Sequence, residues 1–288
     1  MLDVFRTVAR LGSITEAARR LRFTQSAVSR QIGTLEAELG VKVFDRLPRG
    51  VALTDAGRAL LPHADGILDR LRTARDAVGG ETQRLRVGAF PTAVASLVPR
   101  ALARFRTAYP HVGLSLVEGL TPALLERLAA GDADVAVVSS FRSGPIDGGR
   151  FALHHLLDER LLVAVPRDHR LAGRDEVRLA DLAGDAFIAG SATAEETLLR
   201  ATLPTGFRPR VDIVAAEWLG KLGCVAAGLG VALVPELATR GTPPDVALLR
   251  LHPDDAVTRQ IHAAVPAGRE MPPAVRDFLP LLTPRLAG

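Results

Sequence analysis

Residues 13–39 read SITEAARRLRFTQSAVSRQIGTLEAEL, and this stretch predicts two short helices joined by a tight turn. Ser13 and Glu16 have the spacing of a capping box, in which a hydroxyl and a carboxylate satisfy free amides at a helix start. Thr24 is a candidate N-cap for the second helix, and Gly40 is a typical helix stop. The spacing therefore predicts a helix-turn-helix.

The second helix is predicted to bury one face and expose the other. Its apolar residues recur at steps of four, three and four, which indicates a buried stripe of Val28, Ile32, Leu35 and Leu39. Polar side chains near the helix start can pair with base edges in a major groove, since glutamine suits adenine, arginine suits guanine and serine suits either. The predicted DNA-facing residues are Gln25, Ser26, Ala27, Ser29, Arg30 and Thr34. An ordinary helical hairpin with a solvated polar face is the alternative.

A basic hairpin is predicted to follow the two helices. Short apolar runs at residues 43–44 and 51–53 flank a turn that contains proline, glycine and arginine. This pattern is typical of the wing of a winged helix-turn-helix, from which Arg46 or Arg49 can reach a phosphate or the minor groove. For either arginine, a solvated hairpin tip is the alternative.

The run AARRLRFTQSAVSRQIGTLEAELGVKVFDR, followed by GVALTDAG, resembles the N-terminal domain of the LysR-type transcriptional regulators. The resemblance covers about residues 2–80 and continues at the level of pattern to the C-terminus. It implies DNA contacts at Gln25, Ser26, Ala27, Ser29, Arg30 and the wing Arg49. Many members have proline where this chain has Ser26, so base preference there is expected to differ. The chain also starts a few residues later than is usual in the family, so the first helix is expected to be short or the start codon misassigned.

The excess positive charge lies in the first part of the chain. Residues 1–80 hold 13 basic and 9 acidic residues, whereas residues 81–288 hold 23 of each. The net charge of +4 therefore belongs to the predicted DNA-binding part, as expected of a protein that binds phosphate through one domain. Double-stranded DNA at a promoter or operator is the expected partner.

The composition favours a cytoplasmic protein. A single cysteine, Cys224, excludes an intramolecular disulfide and fits a reducing compartment. No apolar run approaches the length of about 18 residues that a membrane span requires. Arginines at positions 6 and 10 interrupt any signal-peptide core, so we expect no membrane partner.

Residues 55–80 predict one long connecting helix with a heptad-like apolar seam, kinked at Pro62 and ended by Gly79-Gly80. The predicted seam consists of Leu60, Ala64, Ile67, Leu71, Ala74 and Val78. Because such a seam has nothing in its own domain to bury against, we expect it to pair two chains in a homodimer or homotetramer, as the family resemblance also implies. Packing of the helix on the C-terminal domain of the same chain is the alternative.

From residue 85 onward, short strands alternate with helical stretches, which predicts parallel sheet covered on both faces. The pattern occurs twice, and the resemblance implies the two lobes of a periplasmic-binding-protein-like effector domain. The predicted fold class is multi-domain: an N-terminal winged helix-turn-helix (mainly α), a linker helix and an α/β two-lobed effector domain. The expected boundaries are 1–58, 59–83 and 84–288, with lobe I at about 84–161 and 266–288 and lobe II at about 162–265.

An effector site is expected at the carboxyl ends of the strands, where helix starts supply free amides. The predicted effector-binding residues are Thr92, Ala93, Thr121, Ser139, Ser140 and Ser191. Small hydroxyls beside helix starts suit a small organic anion such as a carboxylate, although each hydroxyl alone is equally typical of a simple N-cap. Thr92, Thr121 and Ser139 match positions that line the pocket in the resembling family, and Arg142 is a further candidate.

The sequence gives no pattern for an enzyme. Gly228-Leu229-Gly230 lacks the third glycine of a dinucleotide fingerprint, and the seven histidines lack metal-ligand spacing. We therefore expect no catalytic residues, no metal ligands and no cofactor. The prediction is a DNA-binding transcriptional regulator that a small molecule controls from between two lobes, with RNA polymerase as a further partner. A constitutive regulator whose α/β domain only oligomerises is the alternative.

Overall fold

In the computed structural model, the described residues are 1–78, 84–141, 146, 149–193, 197–203, 206–268 and 270–283. The chain divides into two compact units, Met1–Gln83 and Arg84–Gly288. Helix α4, which the sequence predicted as a separate linker, belongs to the first unit.

The N-terminal unit is mainly helical. Its described residues form helices α1 (Leu2–Leu11), α2 (Ile14–Leu21), α3 (Gln25–Leu39) and α4 (Asp55–Val78), with strands β1 (Phe44–Arg46) and β2 (Val51–Leu53) between α3 and α4. The two strands pair antiparallel, with Phe44 opposite Leu53 and Arg46 opposite Val51. Helices α2 and α3 with this hairpin form a winged helix-turn-helix.

Local capping signals fix the ends of α2 and α3. The Ser13 hydroxyl accepts a hydrogen bond from the Glu16 amide at 3.2 Å, and the Thr24 hydroxyl accepts one from the Ala27 amide at 3.2 Å. Only half of the predicted capping box forms, because the Glu16 carboxylate pairs with Arg19 instead of reaching back to the cap. The start of α3 is therefore set by a hydroxyl that the sequence identified.

One apolar core holds this unit together. Its buried residues come from all four helices and the start of the hairpin: Val4, Phe5, Val8, Ala17, Ala18, Val28, Ile32, Leu35, Val43 and Ala64. Burying a side chain as large as Phe5 contributes about 1.5–3 kcal/mol. Leu39 was predicted to belong to the buried stripe but is exposed, because it is the last residue of α3 and the core ends one turn earlier at Leu35.

The structure corrects the predicted seam of α4. Ala64 is fully buried in the core of its own unit, and Leu60 packs against the same core, so the inclusion of Ala64 in a seam between chains was wrong. Ile67 and Leu71 are 52% and 45% exposed. The side chains of Ala74 and Val78 lie outside the described residues, as do Gly79 and Gly80. Helix α4 runs on through Pro62 without ending there.

The start of α4 lies against the backbone that leads into the hairpin. The Thr54 amide donates to the Val43 carbonyl at 3.1 Å, and the Thr54 hydroxyl donates to the Lys42 carbonyl at 2.8 Å. A Cβ on Gly57 would lie 2.2 Å from the Val43 carbonyl oxygen, which is closer than any side chain can approach. Glycine at this position therefore allows α4 to dock.

The C-terminal unit is an α/β fold built on one long sheet. Its described strands are β3 (Arg84–Ala89), β4 (Gly113–Glu118), β5 (Val135–Ser140), β6 (Phe151–Pro166), β7 (Glu176–Val177), β8 (Ala186–Ala189), β9 (Arg210–Val214), β10 (Ala232–Pro235), β11 (Val246–Leu251) and β12 (Thr258–Pro266). Its described helices are α5 (Pro91–Ala95), α6 (Leu97–Ala108), α7 (Thr121–Ala130), α8 (Trp218–Ala226) and α9 (Pro273–Leu282).

Two groups of strands are connected through β6 and β12. The main sheet has the order β4-β3-β5-β12-β6-β11-β7, with β10 also paired to β6, and β8 pairs with β9 in a separate parallel pair. Strands β3, β4 and β5 run parallel, whereas β12 is antiparallel to both β5 and β6. Strand β6 is 16 residues long, so it serves both lobes.

Burial shows where the chain passes from one lobe to the other. In β6, Leu156 belongs to the core of lobe I and Leu161 to the core of lobe II. In β12, Ile261 and Ala263 lie in the core of lobe I. Lobe I therefore resumes at about residue 258, not at the predicted residue 266, because β12 pairs with β5 along its whole middle section.

A single methyl group tests the docking of α4. We expect Gly57→Ala to lower the free energy of unfolding of the N-terminal unit by about 1–3 kcal/mol, because the methyl group would overlap the Val43 carbonyl oxygen. Gly66→Ala in the same helix is the matched control, since a Cβ there meets nothing within 4 Å. It should raise stability by about 0.5–1 kcal/mol through helix propensity. Urea unfolding followed by circular dichroism measures both, and equal effects would contradict the close approach.

Candidate DNA-binding surface and effector site

The predicted DNA-facing residues lie at the start of α3, on its exposed side. Gln25, Ser26, Ser29, Arg30 and Thr34 are exposed, and Ala27 is half-buried. The Ser26 and Thr24 hydroxyls are 3.1 Å apart, and the Thr34 hydroxyl donates to the Arg30 carbonyl at 3.0 Å. The structure therefore brings these residues onto one accessible face, with the Thr34 hydroxyl already engaged by its own helix.

Two backbone contacts position the wing. The Val51 amide donates to the Gly12 carbonyl at 2.8 Å, which ties β2 to the end of α1. A Cβ on Gly50 would lie 2.3 Å from the Gly12 carbonyl oxygen, and Gly50 has a φ of 86°. Both the close contact and the positive φ therefore require glycine at this position. Gly50 was predicted only as part of a turn, and its contact with the end of α1 was not predicted from the sequence.

A buried carboxylate joins α3 to the base of the wing. Glu36 accepts hydrogen bonds from the Val43 amide at 3.0 Å and the Phe44 amide at 3.4 Å, and it pairs with the Lys42 ammonium at 2.6 Å. Burial raises the pKa of Glu36, but the hydrogen bonds from Lys42, Val43 and Phe44 together outweigh burial and hold the pKa below its usual value. Glu36 is therefore ionised at neutral pH and fixes the wing relative to α3.

The arginines of this unit fall into two classes. Arg30 on α3 and Arg46 and Arg49 on the wing are exposed, and none forms an ion pair with any residue in the described part of the chain. Four other arginines of the unit pair with a nearby carboxylate: Arg6 with Asp3, Arg10 with Asp65, Arg19 with Glu16 and Arg58 with Asp55. Exposed arginines without a described ion pair therefore lie on α3, on the wing and, as Arg22, in the turn between α2 and α3.

In lobe I, the predicted effector residues have unequal access to solvent. The Thr121 hydroxyl donates to the Ser139 carbonyl at 3.1 Å and accepts from the Ser139 amide at 3.0 Å, so these two half-buried residues are joined. Ala93 is buried in the core of lobe I, and its amide bonds to the Phe90 carbonyl. Ala93 therefore has no group to offer a ligand, and its inclusion was wrong.

Ser140 was predicted to line the same site as Ser139, but the strand separates the two side chains. Neighbouring residues of a strand point to opposite faces, so Ser139 and Ser140 cannot both face one site. Ser139 is half-buried beside Thr121, whereas Ser140 is buried. In lobe II, Ser191 is half-buried, and its hydroxyl accepts a hydrogen bond from the Thr193 amide at 3.2 Å. Arg142 lies outside the described residues.

Thr92 belongs to a buried charged cluster that was not predicted from the sequence. The Arg259 guanidinium donates to the Thr92 hydroxyl at 2.9 Å and, through Nε, to the Glu159 carboxylate at 2.8 Å. It also lies over the Phe90 ring, 4.6 Å from the centroid. The second Glu159 oxygen accepts from the Leu237 amide at 2.7 Å. Glu159 and Arg259 both have polar neighbours in β6 and β12, so no sequence signal distinguished them from solvent-exposed charges.

The cluster lies where strands β6 and β12 connect the lobes. Glu159 and Arg259 face each other in the register of these two strands, and both side chains are almost completely buried. Burial raises the pKa of Glu159, and the adjacent Arg259 guanidinium partly offsets this effect. The cluster therefore connects Thr92 of lobe I to both crossing strands through one ion pair.

Both units match models of one protein family. Residues 1–58 match the model described as bacterial regulatory helix-turn-helix protein, lysR family. Residues 79–287 match the LysR substrate binding domain. The chain belongs to the LysR family of transcriptional regulators.

Relatives and solved structures of LysR-type regulators align over most of the chain. The HTH-type transcriptional regulator ShiR of Corynebacterium glutamicum is 35% identical over 254 residues, which cover 85% of this chain and 84% of ShiR. The crystal structure of full-length BenM has 26% identity and a TM-score of 0.60, and covers 98% of this chain and 94% of BenM. The crystal structure of full-length CbnR with its target DNA has 28% identity and a TM-score of 0.56, and covers 98% of this chain and 96% of CbnR.

This LysR-type regulator is a ligand-responsive, DNA-binding transcription regulator with an effector-binding domain. The predicted fold class is confirmed. Within the described residues, no group of three histidine, cysteine, aspartate or glutamate side chains is arranged to hold a metal ion. No helix in the described part of the chain has both the length and the apolarity to cross a membrane.

Removing one partner tests the buried ion pair. We expect Arg259→Met to lower the free energy of unfolding of the C-terminal unit by about 3–5 kcal/mol, because it leaves the Glu159 carboxylate buried without a counter-charge. The double variant Arg259→Met/Glu159→Gln should recover most of this loss, since the glutamine keeps an acceptor for the Leu237 amide without a charge. Thermal and urea unfolding of all three proteins check this, and a double variant no more stable than Arg259→Met would contradict it.

Proposed function

We propose that α3 enters the major groove of an operator and that the wing contacts the flanking backbone. The observation that carries this proposal is that, within the N-terminal unit, α3, the wing and the turn before α3 hold exposed arginines without a described carboxylate partner. An arginine already paired with a carboxylate must break that pair before it binds phosphate, whereas Arg30, Arg46 and Arg49 need not. A polyanion can therefore bind this surface without first breaking an ion pair.

Base reading is assigned to the first turns of α3. Gln25 and Arg30 have side chains that bind adenine and guanine edges, respectively, and Ser26 and Ser29 can bind either. The Ala27 side chain suits contact with a thymine methyl group. Thr34 is one turn further along and is assigned to backbone contact, because its hydroxyl is bonded to α3 itself.

We infer self-association through α4 downstream of Ala64. Ile67 and Leu71 are large apolar side chains, four residues apart and exposed within the N-terminal unit, so they face the same side of the helix. Ala74 and Val78 continue this spacing in the sequence. A two-fold pair of chains would present two α3 helices to half-sites about 34–36 Å apart along the DNA, in a homodimer or a homotetramer.

We further infer that a small organic anion bound between the lobes controls the regulator. Thr121, Ser139 and Ser191 supply hydroxyls at the carboxyl ends of strands in both lobes, a location where α/β sheets bind ligands. Thr92 lies at the same edge, but it is buried and its hydroxyl is bonded to Arg259. A ligand can shift the regulator only if it binds one arrangement of subunits more tightly than the other. That shift would change DNA bending and contact with RNA polymerase at the promoter.

Fluorescence anisotropy with the duplex upstream of the protein's own gene tests the assignment of α3. We expect Arg30→Ala to weaken specific binding by about 5–150-fold, which corresponds to the 1–3 kcal/mol of a bidentate base contact. Arg19→Ala is the matched control, because it removes the same charge from an exposed arginine that is paired with Glu16. Its affinity should stay within about twofold of wild type.

Two results would contradict this assignment. One is equal affinity of Arg30→Ala and Arg19→Ala. The other is a wild-type protein with no affinity for the duplex at low salt. Circular dichroism of both variants checks that folding is intact, and a salt titration separates the phosphate contribution from the base contribution.

A further inference from the structure

Lys221 is a buried lysine without an anionic partner. It is 7% exposed and lies in the first turn of α8. Within the described part of the chain, its ammonium has neither an ion pair nor a hydrogen-bond acceptor. Lysine is almost never buried unless it is paired, because removing the charge from water is costly.

Two features surround the Lys221 ammonium. Its Nζ lies over the Trp218 ring, 4.0 Å from the centroid. It is also the one described atom within 4 Å of the place where a Cβ on Gly190 would lie. Glycine thus leaves space next to the ammonium. Burial lowers the pKa of Lys221 to about 8, while Glu217 acts in the opposite direction. The ammonium is therefore still mostly protonated at neutral pH.

The location is the ligand-binding end of lobe II. Gly190 and Ser191 directly follow strand β8, and α8 follows strand β9, which pairs with β8 in parallel. The carboxyl ends of both strands therefore meet beside the Lys221 ammonium. The N-cap of α8, Glu217, makes no side-chain cap hydrogen bond, so the first amides of this nine-residue helix have no side-chain acceptor from the cap.

We propose that Lys221 is the cationic anchor of the effector site and that it binds a carboxylate of a small organic acid, together with the first amides of α8. This inference rests on the proposed function, because it assigns the anionic group of the same effector to lobe II. The carboxylate would form the ion pair that Lys221 lacks within the described residues. The space beside Gly190 admits it, and the hydroxyls of lobe I then bind the rest of the ligand.

The protein carries its own reporter for this site. Trp218 is the single tryptophan of the chain. Titration of the full-length protein with acetate, succinate or benzoate should give a saturable change in its fluorescence with at least one of the three. Acetamide, succinamide and benzamide, which have the same shape without the charge, should give none. Isothermal calorimetry with the responding acid provides an affinity that does not depend on the emission of Trp218.

Substitution of the lysine separates binding from packing. Lys221→Met keeps an unbranched side chain at this position without the charge and should weaken carboxylate binding at least tenfold. Lys221→Arg should retain part of the affinity. Lys42→Met is the matched control, because it removes the only other lysine from the other unit and should bind the carboxylate as wild type does. Equal affinity of Lys221→Met and wild type would overturn the proposal, as would the absence of a saturable response to all three acids.

A second measurement uses the protein with its unchanged sequence, so the test does not depend on whether Lys221→Met folds. Reductive methylation with ¹³C-formaldehyde gives one lysine signal for each of Lys42 and Lys221. The signal of Lys221 should move with the responding carboxylate while that of Lys42 stays in place, and a stationary Lys221 signal would overturn the proposal. Operator binding without ligand, measured separately, distinguishes failure of this inference from failure of the DNA-binding assignment.

Discussion

The C-terminal unit depends on two strands that serve both lobes. Strands β6 and β12 lie side by side in the sheet, and the buried pair of Glu159 and Arg259 lies where they meet. A buried ion pair contributes little net stability, yet removing one partner is costly, because the other charge is then left buried without compensation. Because Arg259 also donates to the Thr92 hydroxyl, the position of Thr92 depends on this ion pair.

The N-terminal unit could be predicted from the sequence because its signals are local. Caps, a turn and a stripe at helical spacing all lie within about 30 residues, and the structure has the two helices and the hairpin where these patterns placed them. The incorrect predictions concern residues at the boundary of the core, namely Leu39 and Ala64. Leu39 follows the helical spacing but lies beyond the neighbouring helices, and Ala64 follows the seam but is covered by its own unit. Spacing identifies which face is apolar, but it does not identify what covers that face.

The effector side was only partly predictable, because its determinants are far apart in sequence. Strand ends predicted Thr92, Thr121 and Ser139 together with Ser140 and Ala93, yet strand alternation separates Ser139 from Ser140, and Ala93 turns into the core. Glu159 and Arg259 are 100 residues apart, and Lys221 is 31 residues beyond Gly190. No periodicity links such residues. Only the pairing of strands brings their side chains together.

The hydrogen bonds of Glu36 to the backbone amides of Val43 and Phe44 limit the spacing of the DNA sites that one protomer can contact. The spacing between α3 and the hairpin is fixed. The Glu36 carboxylate bonds α3 to the start of the hairpin, and the Gly12 carbonyl accepts a hydrogen bond from the second strand of the hairpin. The hairpin of a protomer therefore cannot move relative to α3 to follow a nucleotide that has been shifted along the DNA. Each protomer should therefore tolerate sequence changes in its half of the target but not insertions or deletions within it.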